Sequence, residues 1–136
     1  MAANKQPSVV IDSSAILSYL LPDESPPKKI SHTFQLYQQN KLNLIAPELL
    51  KIEVGNTLKT AILQKRLQPK LAKQILKQFL LLPIRYTYQI NYLATLNLTI
   101  KHNLSFYDAL YLHLSQINQV PLITIDKKLA KLSLLT

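Results

Sequence analysis

The chain has no cysteine and no tryptophan, a single glycine (Gly55), and only seven acidic residues among 136. Without cysteine there is no disulfide framework, zinc finger, thiolate nucleophile or iron–sulfur cluster. One glycine is too few for a Walker loop or a dinucleotide fingerprint, both of which need several glycines where backbone meets phosphate. Long apolar runs are also missing. The longest, from Phe79 to Ile84, is far short of the roughly 20 residues that span a bilayer. The opening MAANKQP has no apolar h-region of the kind a secretory signal carries. A cytoplasmic protein that does not engage membranes is the expectation.

What is present is a core and an excess of positive charge. Hydrophobic residues make up 48% and charged residues 17%, the balance of a folded chain. The length suits one domain over residues 1–136. Sixteen Lys and Arg against seven Asp and Glu leave a net charge of +9, spread along the chain with no basic tail. Such a surface calls for an anionic partner, nucleic acid first and an acidic protein second.

The hydrophobic pattern alternates between short β-branched runs and helical spacing. Ser8-Val-Val-Ile11 reads as a buried strand, followed by Asp12-Ser13-Ser14 and a helix over Ala15 to Leu21. Lys29 to Asn40 is helical through Ile30, Phe34 and Tyr37, and Leu42 to Ile45 is a second strand. Pro47 is placed to open a helix running to about Leu67, and Pro69 the next, with Leu71, Ile75, Phe79 and Leu82 inward and Lys70, Lys73 and Lys77 on one face. A weak third strand covers Ile84 to Tyr86. Helices follow over Ile90–His102, with Asn103 as a left-handed cap, and from Ser105 to Asn118. A fourth strand, Pro121 to Ile125, leads into a short helix, Lys127 to Leu132. Strands alternating with helices predict an α/β fold on a mainly parallel sheet of about four to five strands.

Four of the seven acids are placed alike. Asp12 and Asp126 each follow a strand, at the sheet edge where α/β folds bind ligands. Glu53 lies two turns into one helix and Asp108 one turn into another, and both can point at that edge if their helices begin there. Each has an ordinary structural reading. Asp12 and Asp126 suit helix N-caps, Asp108 completes a capping box with Ser105, and Glu53 is a solvated helix residue or a partner of Thr57 or Lys59. Together they mean more. Converging carboxylates repel, so they must be protonated or share cations, and oxygen-only ligands suit Mg²⁺ or Mn²⁺. His32, His102 and His113 have no metal-motif spacing.

Four stretches, VVIDSSAILSYLL (9–21), APELLKIEVGNTL (46–58), LSFYDALYLHLS (104–115) and PLITIDKKLAKL (121–132), resemble the PIN-domain ribonucleases, and among them the toxin nucleases of VapBC toxin–antitoxin systems. The resemblance implies a PIN-like three-layer fold. It makes Asp12, Glu53, Asp108 and Asp126 both the catalytic and the metal-binding acids, with Asp12 and Asp108 as principal ligands. Ser13 and Thr124 would orient a ligand or water. It further implies an endoribonuclease using one or two Mg²⁺ or Mn²⁺ ions, a homodimer, and a small antitoxin whose tail occludes the site. Asn103 and Val120 stand where glycine is common in the family.

Lys51, Lys59, Lys127, Lys128 and Lys131 are the RNA-binding candidates, because they lie on the helices that carry Glu53 or follow Asp126. Tyr107 and Tyr111 flank Asp108 and are candidates for stacking on a base, with core packing the alternative for Tyr111. A close helix–helix approach would explain Gly55, and the stripe Ile30, Phe34, Tyr37 is a candidate partner surface as well as a candidate core. Three other functions remain open: a non-catalytic RNA-binding or assembly domain, an RNA-processing nuclease that is not a toxin, and a phospho-accepting receiver-like domain. The last expects an acidic pair after the first strand, where this chain has Asp12 followed by two serines.

Overall fold

The computed structural model describes residues 6–134. Four strands, β1 (Ser8–Ile11), β2 (Asn43–Pro47), β3 (Ile84–Thr87) and β4 (Leu122–Ile123), form one sheet in the order β3-β2-β1-β4. Every pairing is parallel. The chain moves outward from β1 through β2 to β3, then returns to lay β4 on the other side of β1. The topological switch therefore lies between β1 and β4, whose C-terminal ends deliver Asp12 and Asp126.

Side chains alternate across each strand, so one sheet serves two cores. Val9, Ile11, Leu44 and Ala46 pack with α1 (Ser13–Leu20), α2 (Lys28–Gln38), α3 (Leu49–Leu63) and α4 (Pro69–Leu81). Val10, Ile45 and Leu122 point the other way. They meet Tyr111, Leu112 and Leu114 of α6 (Phe106–Asn118) and Leu129 of α7 (Lys127–Leu134), with Leu98 of α5 (Tyr92–His102) against them. The α/β expectation thus becomes three layers, helix–sheet–helix, around four strands.

Several boundaries differ from the sequence expectation for identifiable reasons. Pro47 closes β2 opposite Thr87 instead of opening α3. Its fixed φ is compatible with a strand end, and the Glu48 amide bonds the Thr87 carbonyl before the helix begins. α3 stops at Leu63, short of Leu67, because Lys65 turns left-handed (φ 59°) and the Arg66 amide closes back on Ala61. β4 keeps two of its five expected residues. The Thr124 hydroxyl accepts the Asp126 amide (3.1 Å) and Ser14 Oγ accepts the Ile125 amide (3.2 Å), which diverts those donors from the ladder. Asn91 caps α5, which starts at Tyr92 and ends, as expected, on left-handed Asn103. On α4 the inward face is Ala72, Ile75 and Phe79, while Leu71 is 39% exposed.

The stripe on α2 belongs to the core. Ile30 and Phe34 are buried, and the Phe34 ring stacks on Tyr19 of α1 with centroids 4.0 Å apart. Gly55 does not mark a close approach within the chain, since a Cβ built there meets nothing within 4 Å. Gly55→Ala is therefore expected to stabilise the protein by about 0.5–1 kcal/mol, the helix-propensity difference. Urea unfolding measures it, and a destabilised variant would show that the position needs glycine.

Candidate active site at the carboxyl edge of the sheet

Asp12 is 5% exposed and caps α1, its Oδ1 accepting the Ala15 amide at 2.9 Å. Asp126 caps α7 in the same way, accepting the Leu129 amide at 2.8 Å, but is exposed. Ser105 caps α6 by accepting the Asp108 amide at 3.0 Å, and the Asp108 carboxylate is hydrogen-bonded to Ser105 in turn. The ordinary capping readings therefore hold for all three positions. They are compatible with a second role, because a cap engages one oxygen of a carboxylate that has two.

The four acids are also within one another's electrostatic reach. Burial raises the Asp12 carboxyl above its ordinary range, opposed by the Thr124 hydroxyl, the Ala15 amide and Ser14, and the charge of Asp108 adds to the rise. Burial raises Glu53, opposed by hydrogen bonding from Tyr111, and the charges of Asp12 and Asp108 push it higher while Ser13 pulls it down. Asp108 is raised by burial and then by Asp126. Glu53 from α3, Asp12 from β1, Asp108 from α6 and Asp126 after β4 therefore form one coupled group drawn from both helical layers.

Among the described residues, no basic side chain forms an ion pair with that group. Among the described residues the ion pairs are Lys51–Glu48 (3.2 Å), Arg66–Asp23 (2.9 Å) and Arg66–Glu24 (3.5 Å). They account for the three remaining acids of the chain and for none of the four. In a protein of charge +9, four carboxylates outside those ion pairs, with Asp12, Glu53 and Asp108 raised in part by the charges of their acidic neighbours, are a selective arrangement. The donors are all oxygen, which fits a hard dication such as Mg²⁺ or Mn²⁺. Among the described residues, no group of three or more His, Asp or Glu side chains is placed to hold a metal ion as it stands.

Two residues join the site in roles the sequence did not assign them. Ser14 Oγ donates to Asp12 Oδ1 (2.8 Å), accepts the Ile125 amide, and lies 3.4 Å from Thr124 Oγ1. It ties the loop after β1 to the loop carrying Asp126. A hydroxyl two residues past a capping acid was the available signal. Tyr111, 2% exposed, donates its hydroxyl to Glu53 Oε1 at 2.5 Å. Its signal was helical spacing, which puts it one turn beyond Asp108 on the same face of α6. Glu53 thus pairs with Tyr111 and not with Thr57 or Lys59.

The lysine candidates divide. Lys51 is engaged by Glu48 and stands 4.4 Å above the Tyr86 ring. Lys127, Lys128 and Lys131 line a surface hollow on α7 with Leu132, and Lys128 donates to the Asn103 carbonyl (3.1 Å). Lys59 is exposed on α3. Tyr107 is 57% exposed next to Asp108, whereas Tyr111 is core.

A family model described as the PIN domain matches residues 9–134. Ribonuclease VapC1 from two strains of Mycobacterium tuberculosis is 37% identical over 86 residues, which is 62% of this chain and 64% of the relative. The match thus spans less than two thirds of those relatives' length. Among solved structures, PAE2754 from Pyrobaculum aerophilum superposes with a TM-score of 0.72 at 21% identity, covering 93% of this chain and 80% of that one. Mycobacterium tuberculosis VapC20, a sarcin–ricin loop cleaving toxin, superposes at 0.63 and 12% identity, covering 90% of this chain and 93% of that one. At these identities the two structures speak for the fold alone. Among the described residues no helix is long and apolar enough to cross a membrane.

Proposed function

The chain belongs to the PIN domain family, and from that premise we propose that it is a metal-dependent endoribonuclease, the toxin of a toxin–antitoxin pair. One observation carries the reading: its four unpaired acids are coupled at the switch point of the sheet, while every other acid is in an ion pair. Asp12 and Asp108 are the principal candidates to hold Mg²⁺ or Mn²⁺, with Glu53 and Asp126 completing the set. Bound there, the ion would supply Lewis-acid chemistry at a phosphodiester. The chain's own residues orient that chemistry. Ser14 and the Ala15 amide fix Asp12, Tyr111 and Ser13 fix Glu53, and Ser105 sets the first turn beneath Asp108.

RNA is the substrate the surface suits. Lys127 and Lys131 on α7, and Lys59 on α3, offer phosphate contacts that carry no sequence information. A homodimer and a small antitoxin are the partners this reading includes. The surface that supports a protein interface is the apolar face of α5, where Tyr92, Leu93, Leu96 and Ile100 are exposed. The buried α2 stripe offers none.

The test is cleavage of a structured RNA pool with Mn²⁺, Mg²⁺ or EDTA. Cleavage is expected with either ion and not with EDTA; equal cutting in EDTA would refute the metal. A pH titration adds a sign. Because the folded state raises Asp12, Glu53 and Asp108, these acids hold protons to a higher pH folded than unfolded. Without metal their contribution to stability is greatest at low pH and is lost as pH rises through the raised values. A cation reverses this, since it binds the ionised form. Mn²⁺ at a hundredfold excess over Kd should raise stability by about 2.7 kcal/mol at neutral pH. That increment should fade on acidification before ordinary carboxylates, near about 4, are protonated. A melting temperature indifferent to Mn²⁺ at neutral pH would count against the site.

A further inference from the structure

We infer that Tyr111 is a positioning residue for Glu53, clamping that carboxylate across the edge of the sheet so that it serves the same centre as Asp108; the inference rests on the nuclease reading above. Glu53 and Tyr111 come from opposite helical layers, α3 and α6, and are separated by 58 residues in sequence. A glutamate in a helix has three freely turning side-chain torsions, and Glu53 is among the described acids outside any ion pair, so nothing ionic holds it. Tyr111 has two torsions, both locked by burial in the core beneath α6. Its hydroxyl is therefore a rigid donor, and at 2.5 Å it fixes one carboxylate oxygen, Oε1, of a group whose other side-chain partner is Ser13.

Tyr111 also lies one helical turn from Asp108, so α6 delivers one acid directly and holds a second through its neighbour's hydroxyl. An apolar residue would fill the core at position 111 equally well. The tyrosine hydroxyl adds a buried polar atom whose single donor is spent on Glu53, which makes it a function-bearing choice and not a packing one. Partners of this kind, one shell out from a ligand, set ligand orientation and typically contribute 10–100-fold to metal affinity or rate.

The experiment is a double-mutant cycle on the full chain, Tyr111→Phe with Glu53→Gln. Mn²⁺ affinity is read by electron paramagnetic resonance, kcat and KM on RNA by cleavage, and stability by thermal melting. Phe keeps the ring and removes only the hydroxyl. Tyr111→Phe should bind Mn²⁺ about tenfold more weakly and lose kcat by a similar factor, with KM for RNA unchanged. Added to Glu53→Gln it should cause no further loss of either. Gln retains an oxygen acceptor, so any purely structural effect of the hydroxyl should appear equally as a change in melting temperature in both backgrounds. A Tyr111→Phe protein with wild-type Mn²⁺ affinity and kcat overturns the inference, as does a loss that multiplies on top of that of Glu53→Gln. A wild type that neither binds Mn²⁺ nor cuts RNA overturns the nuclease reading itself, and this role with it.

Discussion

Asp12→Asn should lower metal-dependent RNA cleavage at least about a hundredfold while leaving the melting temperature of the metal-free protein at or above that of the wild type. The activity loss follows from rank. Residues that merely orient a metal ligand contribute 10–100-fold, so a ligand itself should contribute no less. The stability expectation follows from local geometry. Asp12 Oδ1 accepts from the Ala15 amide and from Ser14 Oγ, and an Asn oxygen can accept both. Asn is also as good an N-cap as Asp. What disappears is a nearly buried negative charge that repels Glu53 and Asp108. Asp12→Ala, by contrast, also loses the cap and should cost about 1 kcal/mol more. The pair of variants separates the two jobs of this residue. If Asp12→Asn cuts RNA as well as wild type, the site lies elsewhere; if it unfolds, the charge is being neutralised by something other than an added cation.

The largest effect on stability is expected from Phe34→Ala, about 3–5 kcal/mol. Phe34 is 1% exposed and sits between two rings, stacked on Tyr19 and edge-on to Tyr37 with centroids 6.4 Å apart. Truncation opens a cavity beneath the joint between α1 and α2, whose surroundings are helices anchored on the sheet and so cannot collapse freely. α1 is the helix that Asp12 caps, so the loss should reach the site and weaken Mn²⁺ binding as well. Denaturant unfolding gives the number. A loss below about 0.5 kcal/mol, with association weakened instead, would return the stripe to the role of a partner surface.

The low acid content makes the site easier to see. With only seven acids, each can be followed in turn, and among the described residues three are in ion pairs and four are not.

Local chemistry made much of this legible in the linear chain. β1, the start of α4 at Pro69, the cap of α6 at Ser105 and the left-handed Asn103 are all decided by residues within one turn of themselves, and β-branched runs and capping side chains report such contacts directly. The placement of Asp12 and Asp126 after strands was legible for the same reason. What the chain could not decide alone is set by contacts distant in sequence. Pro47 suits both a helix start and a strand end, and only pairing with Thr87 selects the strand. β4 is cut short by Ser14, 111 residues away. Ile30 and Phe34 form a stripe that any apolar surface could cover, and Tyr19 of α1 covers it. The partner of Glu53 is likewise tertiary. Helical spacing offered Thr57 and Lys59, but the sheet brings Tyr111 over its edge from the opposite layer, and a buried hydroxyl must spend its proton on whatever acceptor the fold delivers.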